Sequence, residues 1–457
     1  MLNKIANLRI LTLGYFICML GFLALGCTTR EDPSETLVMC GNHTCGNLAM
    51  VTTDTSSDGY QYLNPKLSPD GNTILFTCDW QALPSTDRPP DPLPTNRELA
   101  IIPASEGNQP TTSLTESGAT LIFLLGLPLS IGGSSPTYYE MDMRQKGDPI
   151  WKDNSNIIFW VQLPRGNRLF EANIASLPTI PTPLYFEPED YDQQGGIWQH
   201  TQPALSPDGR WLAFVRFGCP SIDEFESCTE QSIWILDMQT AGLDQDNVAF
   251  PIVESVSRCG GPAWSPDGST IAFHASTDLV GLENDPGTEL FSVAFDTTGL
   301  AEAGNVTVNN GLHRLTYTVL SDGDPITGID NLNPSYTVDG SSIIYVSTRR
   351  APSITLRVRG VWRIPADGRL APEIFFFSRE DDVDPSVARN ASGEIVLSSA
   401  MGFPTSMLDR LEQETFERIL AENPDVSETA ARVAAREERE ELEFFAGVMS
   451  HLFIYSR

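Results

Sequence analysis

The chain is poor in histidine and in basic residues for its length. Its 457 residues include five histidines, and 29 Lys and Arg stand against 60 Asp and Glu, giving a formal net charge of −31. Such an excess of negative charge repels nucleic-acid phosphates, so the composition argues against a nucleic-acid partner. Cationic ligands and divalent ions remain compatible with it.

Motifs for catalysis and for metal binding are also lacking. The histidines are scattered without metal-ligand spacing and lie at positions His43, His200, His274, His313 and His451. The segment Gly132-Gly133-Ser134-Ser135 lacks the Gly-x-Ser-x-Gly spacing of a nucleophile elbow. Asp322, Asp324 and Asp330 offer oxygen ligands without the full spacing of a calcium loop, so calcium is only an alternative. We therefore expect no catalytic residue, no metal and no cofactor.

Long hydrophobic runs are absent after the first residues. Lys4 and Arg9 precede an apolar run from Ile10 to Leu25, which is typical of a secretion signal. Ala24-Leu25-Gly26-Cys27 resembles a bacterial lipobox, whose cysteine becomes the lipidated N-terminus. This resemblance implies a signal peptide over residues 1–26 and a linker over 27–37 that starts at lipidated Cys27. Because Thr28 follows the cysteine, it also implies an outer-membrane anchor facing the periplasm; an uncleaved anchor and a cleaved soluble form are the alternatives.

One motif recurs along the chain. Gln202-Pro203-Ala204-Leu205-Ser206-Pro207-Asp208-Gly209 leads into an apolar run, close copies begin at Asn64, Gly261 and Asn333, and degenerate copies begin at Asp148 and Asp384. In Ser-Pro-Asp-Gly the proline presets φ and the glycine accepts positive φ, so the motif predicts a tight turn between two strands. Successive repeat prolines lie 51 to 84 residues apart, enough for four-stranded blades of about 40 to 50 residues. Six such units predict an all-β, six-bladed propeller.

The pattern Pro-x-x-Ser-Pro-Asp-Gly-x-x-Ile-x-Phe resembles the repeat of TolB-like, WD-repeat-like six-bladed β-propellers. The resemblance covers residues 38–400 and implies a fold rather than an activity, because such propellers host many functions. TolB itself carries an α/β domain before its propeller. The segment between Cys27 and Asn64 is too short for that domain, so TolB itself is not expected.

The end of the chain changes composition. Residues 401–450 are rich in Glu, Arg, Ala and Leu, which predicts helices over Ser406–Ala421 and Asp425–Val448, with Asp425 as a cap. Residues 451–457 are strand-like again. We expect the helices to be an insertion and the last run to return to blade six, with Leu48–Thr52 as its outermost strand, which closes the ring.

Six cysteines remain after Cys27, and an even number in an exported chain indicates disulfides. Cys219 and Cys228 flank a loop between two predicted strands and form the favoured pair, followed by Cys40 with Cys45. Cys78 and Cys259 would lie in opposite blades, which suits pairing poorly. Reduced or metal-bound thiols are the alternative.

The residue before each repeat proline holds an equivalent place in every unit. These residues are Asn64, Asp148, Gln202, Gly261, Asn333 and Asp384. Each is expected to begin an innermost strand, so together they would line one mouth of the central channel and hold a peptide or a small polar ligand. The alternative is that they only bond to backbone at a blade corner.

These features favour a non-catalytic, envelope-anchored scaffold that binds a protein or peptide. Two other classes stay open: a propeller hydrolase or lyase with a channel-bound divalent metal, and a carbohydrate-binding module. The last would need exposed aromatic residues along a groove, for which the candidates are Trp80, Trp198 and Trp362.

Overall fold

The computed structural model shows a six-bladed β-propeller. It describes residues 47–52, 61–79, 97–105, 118–129, 137–139, 141, 144–164, 166–186, 197–219, 231–240, 249–280, 287–296, 308–317, 329–349, 359–376, 382–388, 393–399, 405–423, 426–446 and 451–456. Within these ranges the strands form six four-stranded antiparallel sheets and one two-stranded pair. Each four-stranded sheet is one blade.

The chain visits the blades in order, after a first strand β1 at Asn47–Met50. Blade 1 contains β2 (Gln61–Leu67), β3 (Thr73–Asp79), β4 (Arg97–Pro103) and β5 (Thr120–Leu121). The two-stranded pair follows as β6 (Leu127–Leu129) and β7 (Thr137–Tyr139). Blade 2 contains β8 (Lys146–Trp151), β9 (Asn156–Leu163), β10 (Gly166–Asn173) and β11 (Thr182–Pro183).

The middle of the chain repeats this pattern. Blade 3 contains β12 (Ile197–Leu205), β13 (Trp211–Cys219), β14 (Gln231–Asp237) and β15 (Ala249–Val256). Blade 4 contains β16 (Cys259–Trp264), β17 (Thr270–Ser276), β18 (Thr288–Ala294) and β19 (His313–Arg314). Blade 5 contains β20 (Asn331–Tyr336), β21 (Ser342–Ser347), β22 (Gly360–Pro365) and β23 (Glu373–Phe376).

Blade 6 joins the two ends of the described chain. Its strands are β24 (Asp382–Val387), β25 (Ile395–Ser399), β26 (His451–Ser456) and, outermost, β1. The register pairs Ala49 with Ile454 and Val396 with Ile454. This is the closing arrangement expected from the sequence, because strands from both ends of the described chain share one sheet.

Two helices are described between β25 and β26: α1 (Thr405–Glu422) and α2 (Glu428–Ala446). They pack on each other through Phe416, Ala431 and Ala435. Ser427 caps α2, since its hydroxyl oxygen accepts a hydrogen bond from the Ala430 N–H at 3.2 Å; the predicted cap Asp425 lies outside the described residues. Neither helix in the described part of the chain is long and apolar enough to cross a membrane.

The core of the propeller lies between blades rather than within one of them. Each pair of neighbouring blades shares one buried apolar cluster, and the cluster between blades 6 and 1, for example, joins Ile454 to Phe76. Buried charge also joins blades, because Lys146 of blade 2 pairs with Glu98 of blade 1 at 2.7 Å. Blade contacts of this kind make closure of the ring a condition for burying the core.

The Ser-Pro-Asp-Gly segments form the turns between the first and second strands, as predicted. In four of them the Ser or Thr hydroxyl donates to the Asp carboxylate two residues on, for example Ser68 to Asp70 at 2.6 Å. The same carboxylates accept a backbone N–H two residues further along the chain. These turns mark one face of the propeller, here called the turn face. The connection from β25 to β26, which carries the helices, leaves from the opposite face.

Candidate functional site

A β-bulge places the residue before each repeat proline. Proline has no N–H to donate to the ladder, and in all six blades the pairing of the first two strands shifts across this residue and its proline. At the bulge the residue takes a positive φ, between 48° and 58° across the six blades. Asn and Asp tolerate this conformation better than other non-glycine residues, which fits the sequence choice at four of the six positions.

The structure brings the six residues together but corrects their place in the strands. The innermost strands begin two to five residues earlier, as Asn64 in β2 and Gln202 in β12 show. The residues therefore lie inside the channel instead of at the start of each strand. All six line one cavity, and they are here called its floor.

Hydrogen bonds of these six residues and of His274 join every blade to its two neighbours, and the seven residues are here called the channel ring. Side chains of one blade accept the backbone N–H of the next: Asp148 from Gln202 at 3.0 Å, Gln202 from Gly261 at 2.6 Å, and Asp384 from Asn64 at 3.1 Å. Side-chain amides complete two further junctions, Asn64 to Asp148 at 2.7 Å and Asn333 to Asp384 at 2.8 Å. Each blade is thereby bonded to its neighbours at the channel axis.

His274 supplies the side chain that Gly261 lacks. Its Nδ1 accepts the N–H of Asn333 at 3.3 Å, the bond that a longer residue at Gly261 would make. A Cβ atom on Gly261 would lie only 3.0 Å from that nitrogen, and one on Gly260 would lie 2.8 Å from Nε2 of the same ring. The two glycines leave the space that the imidazole fills.

The ring contains two carboxylates held by neutral donors. Asp148 accepts bonds from Asn64, Gln202 and the indole N–H of Trp160, the last at 3.0 Å. Burial, together with repulsion from Asp384, raises the pKa of Asp148, and the hydrogen bonds from Gln202 and Trp160 oppose this rise. Both residues keep part of their surface open to the channel.

A cavity of about 310 Å³ opens from the ring towards the turn face. Its walls come from the ends of the innermost strands and include Trp151, Trp264 and Tyr336, with prolines between them. Its rim includes Lys66, Lys152 and the turn residues Pro69, Pro207, Pro266 and Val338. No histidine or cysteine lines the cavity among the described residues, and no described group of His, Cys, Asp or Glu is arranged to hold a metal ion.

Acid stability tests the role of His274. Burial, with repulsion from Arg258, lowers the pKa of this imidazole to about 3, while an unfolded histidine titrates near 6.5. The stability that neutral His274 contributes is complete above pH 6.5 and is lost as the pH falls towards 3, because the unfolded state takes up the proton first. The Oδ1 of His274→Asn can accept the same N–H. When the pH is lowered from 6.5 to 5, we expect the free energy of unfolding to fall by about 1 to 2 kcal/mol more in the wild type than in this variant.

Urea unfolding curves of both proteins at several pH values measure this difference. His451, whose pKa burial lowers to about 4, titrates in both proteins and sets their common background. Identical pH dependence of the two proteins would contradict a neutral acceptor at His274.

The other candidate residues from the sequence that the structure describes are not members of the channel ring. Trp362 is 5% exposed and Trp198 is stacked against the guanidinium of Arg216 at 3.4 Å, so neither offers a free sugar-binding face. Cys78 and Cys259 are buried in different clusters between blades and are not disulfide-bonded to each other. Asp330 bonds to Thr288 and pairs with Arg258. Trp80, Asp322, Asp324, His43, Cys27, Cys40, Cys45 and Cys228 lie outside the described residues, as does the Cys219 side chain.

Sequence reasoning missed two parts of the site. The bulge was not anticipated, although the repeated proline inside a strand is its signal. Trp160 was also not singled out; the adjacent Gly147 leaves room for it, since a Cβ there would lie 2.5 Å from the indole ring. The six ring positions themselves were found from the repeat.

Comparison with known proteins gives information on the fold of the chain. No protein-family model and no curated protein matches the sequence. Solved structures that resemble the chain include TolB from Acinetobacter baumannii (12% identity, 75% of this chain and 66% of that chain, TM-score 0.41) and an oligogalacturonate lyase from Vibrio parahaemolyticus (14%, 79% and 76%, 0.41). A puromycin-hydrolyzing peptidase from Mycobacterium tuberculosis is also similar (15%, 79% and 47%, 0.43).

The match spans just under two thirds of that TolB chain and less than half of the peptidase. Because six-bladed propellers host many functions, the fold leaves the activity undecided. The chain is a six-bladed β-propeller, and propellers of the TolB type are among its solved structural neighbours.

Proposed function

We propose that this chain is an exported, lipid-anchored propeller that binds a protein or peptide partner in the ring-floored cavity and does not catalyse a reaction. The cavity carries the proposal. It is about 310 Å³, at the lower end of the roughly 300 to 1,000 Å³ found for ligand sites. Such a volume takes a few side chains of a peptide or of an exposed loop.

The use of the ring carboxylates supports binding rather than catalysis. Asp148 and Asp384 each accept hydrogen bonds on both carboxylate oxygens from donors of the ring itself. A general acid or base must exchange protons with a substrate, and here those oxygens stabilise the contact between blades. Stoichiometric metal in the purified protein, measured by elemental analysis, would instead favour the hydrolase or lyase alternative.

Site-specific photo-cross-linking in intact cells tests the binding site. Val338 lines the cavity at the rim and is 38% exposed, so a benzoylphenylalanine placed there is expected to capture the partner. Leu370 is the matched control, because it lies in the same blade, is 68% exposed and does not line the cavity. A specific adduct from position 338 and none from position 370 is the expected result. Equal capture at both positions would place the interface elsewhere.

The lipid anchor is tested separately at Cys27. The lipobox-like sequence Ala24-Leu25-Gly26-Cys27 is the reason to propose this anchor. We expect Cys27→Ser to abolish incorporation of a labelled fatty acid and to move the protein from the membrane fraction to the soluble fraction. Labelling that persists in this variant would rule out Cys27 as the site of lipidation.

A further inference from the structure

The floor of the cavity carries two carboxylates that are held by neutral donors, and Arg97 acts on Asp148 only as a charge at longer range. Asp148 and Asp384 accept bonds only from amide, backbone and indole N–H groups, and no described Lys or Arg lies within ion-pair distance of either. Neutral donors stabilise a carboxylate but leave its net charge in place. The floor therefore carries net negative charge, offset in part by Arg97, inside a concave surface.

The walls above this floor are aromatic and apolar. The indole N–H groups of Trp151 and Trp264 are already bonded to the neighbouring blade, where they donate to the carbonyl oxygens of Lys66 and Ala204, each at 2.9 Å. What the two rings present to the cavity is therefore apolar and π surface. Aromatic surface attracts cations, most strongly where water is excluded.

The rim adds negative charge at the entrance. Hydrogen bonds from the neighbouring Ser or Thr lower the pKa values of four turn carboxylates, which keeps them ionised; they are Asp70, Asp208, Asp267 and Asp339. Two lysines, Lys66 and Lys152, also stand at the rim, where the four carboxylates outnumber them, and the ammonium of Lys152 is paired with Glu171 at 2.8 Å. A surrounding field of this sign steers cations towards the cavity.

We propose that the cavity recognises a primary ammonium group, a lysine side chain or a free N-terminus of the partner, seated over Asp148 and Asp384. This inference rests on the proposed function, since it names the chemistry of the same site. A calcium ion needs about six to eight oxygen ligands, whereas the ring already uses both oxygens of each carboxylate. An ammonium group needs only one further lone pair on each carboxylate to accept one of its N–H groups.

Calorimetric titration with 2-phenylethylammonium, against the neutral 2-phenylethanol, tests the proposal on the purified protein. The ammonium is expected to bind about tenfold more tightly or better, which corresponds to about 1.4 kcal/mol. The double variant Asp148→Asn, Asp384→Asn should lose that preference and keep the weak binding of the alcohol. Asp367→Asn removes a charge from an exposed turn that does not line the cavity, and it should bind as the wild type does.

The double variant is designed to preserve the ring. Each new amide oxygen can keep its backbone N–H, from Gln202 or from Asn64, if the partner amide of Asn64 or Asn333 turns over to accept from the new NH2 group. Circular dichroism melting checks the fold. Should the variant not fold, the wild type still decides: burial raises the pKa of Asp148, so the preference for the ammonium over the alcohol should weaken as the pH is lowered, and an unchanged preference contradicts the proposal.

The outcomes separate this inference from the proposed function. Equal binding of ammonium and alcohol, or calcium binding that the double variant abolishes while ammonium does not compete, would overturn the ammonium site. Partner capture at position 338 that is unaffected by Asp148→Asn, Asp384→Asn would keep the binding function and reject its cationic anchor. Ammonium selectivity without any captured partner would keep the ammonium site and reject the binding of a protein partner in the cavity.

Discussion

Deleting the six residues of β26 is expected to damage this protein more than deleting the whole helical pair α1–α2. The described side chains of β26, from Leu452 to Tyr455, are each less than 10% exposed and belong to the two apolar clusters that flank blade 6. Losing their burial costs about 8 kcal/mol at roughly 2 kcal/mol each. Since natural domains are stable by only about 5 to 15 kcal/mol, the chain without residues 451–456 should not fold.

The helical pair can be removed with little loss because of where it joins the sheet. Ser399 and His451 are direct cross-strand partners at the ends of β25 and β26, so a two-residue Asn-Gly turn can replace residues 400–450. Among the described side chains of the helices, Phe416, Ala431 and Ala435 pack on one another, and Leu411 packs against a cluster between blades. We expect the shortened protein to melt cooperatively, with a small reduction in melting temperature.

Circular dichroism melting and size-exclusion chromatography of both deletions measure these effects. The truncated chain should elute as aggregate or be recovered only from inclusion bodies. A soluble, cooperatively melting protein without β26 would show that blade 6 does not need its third strand. Aggregation of the chain without helices would show that they contribute to the core.

Asp148→Ala should be the most destabilising single change in the channel ring, at about 3 kcal/mol. It removes the acceptor of three donors, the side-chain amide of Asn64, the backbone N–H of Gln202 and the indole N–H of Trp160. An unsatisfied buried donor costs about 1 to 3 kcal/mol, and water in the channel replaces part of what is lost. Alanine also fits the φ of 48° less well than Asp.

Asp148→Asn is the matched control, with an expected cost of about 1 kcal/mol or less. Its amide oxygen keeps the bonds from Gln202 and Trp160, and asparagine tolerates the same backbone conformation. Denaturant unfolding of the two variants gives the comparison directly. If alanine and asparagine cost the same, the ring bonds contribute nothing and only the carboxylate charge matters.

Much of the fold is readable from local sequence. The turn in Ser-Pro-Asp-Gly depends on contacts within a few residues, such as the bond of Ser206 to Asp208, and its sixfold recurrence then indicates the propeller. The helices and the closing run of blade 6 could be predicted because their residue preferences are also local. The six positions of the channel ring followed from the repeat alone.

What those six residues do was decided by contacts between residues far apart in the chain. Asn64 and Asp384 are 320 positions apart and bond across the closure of the ring, and no local pattern encodes such a distance. His274 enters the ring because two glycines of the neighbouring strand make room for it. The sequence by itself determined the number of blades and their corners, because those depend on short-range conformational preferences. Only the tertiary structure decided that the ring forms the floor of a cavity, because that depends on six strands meeting at one axis.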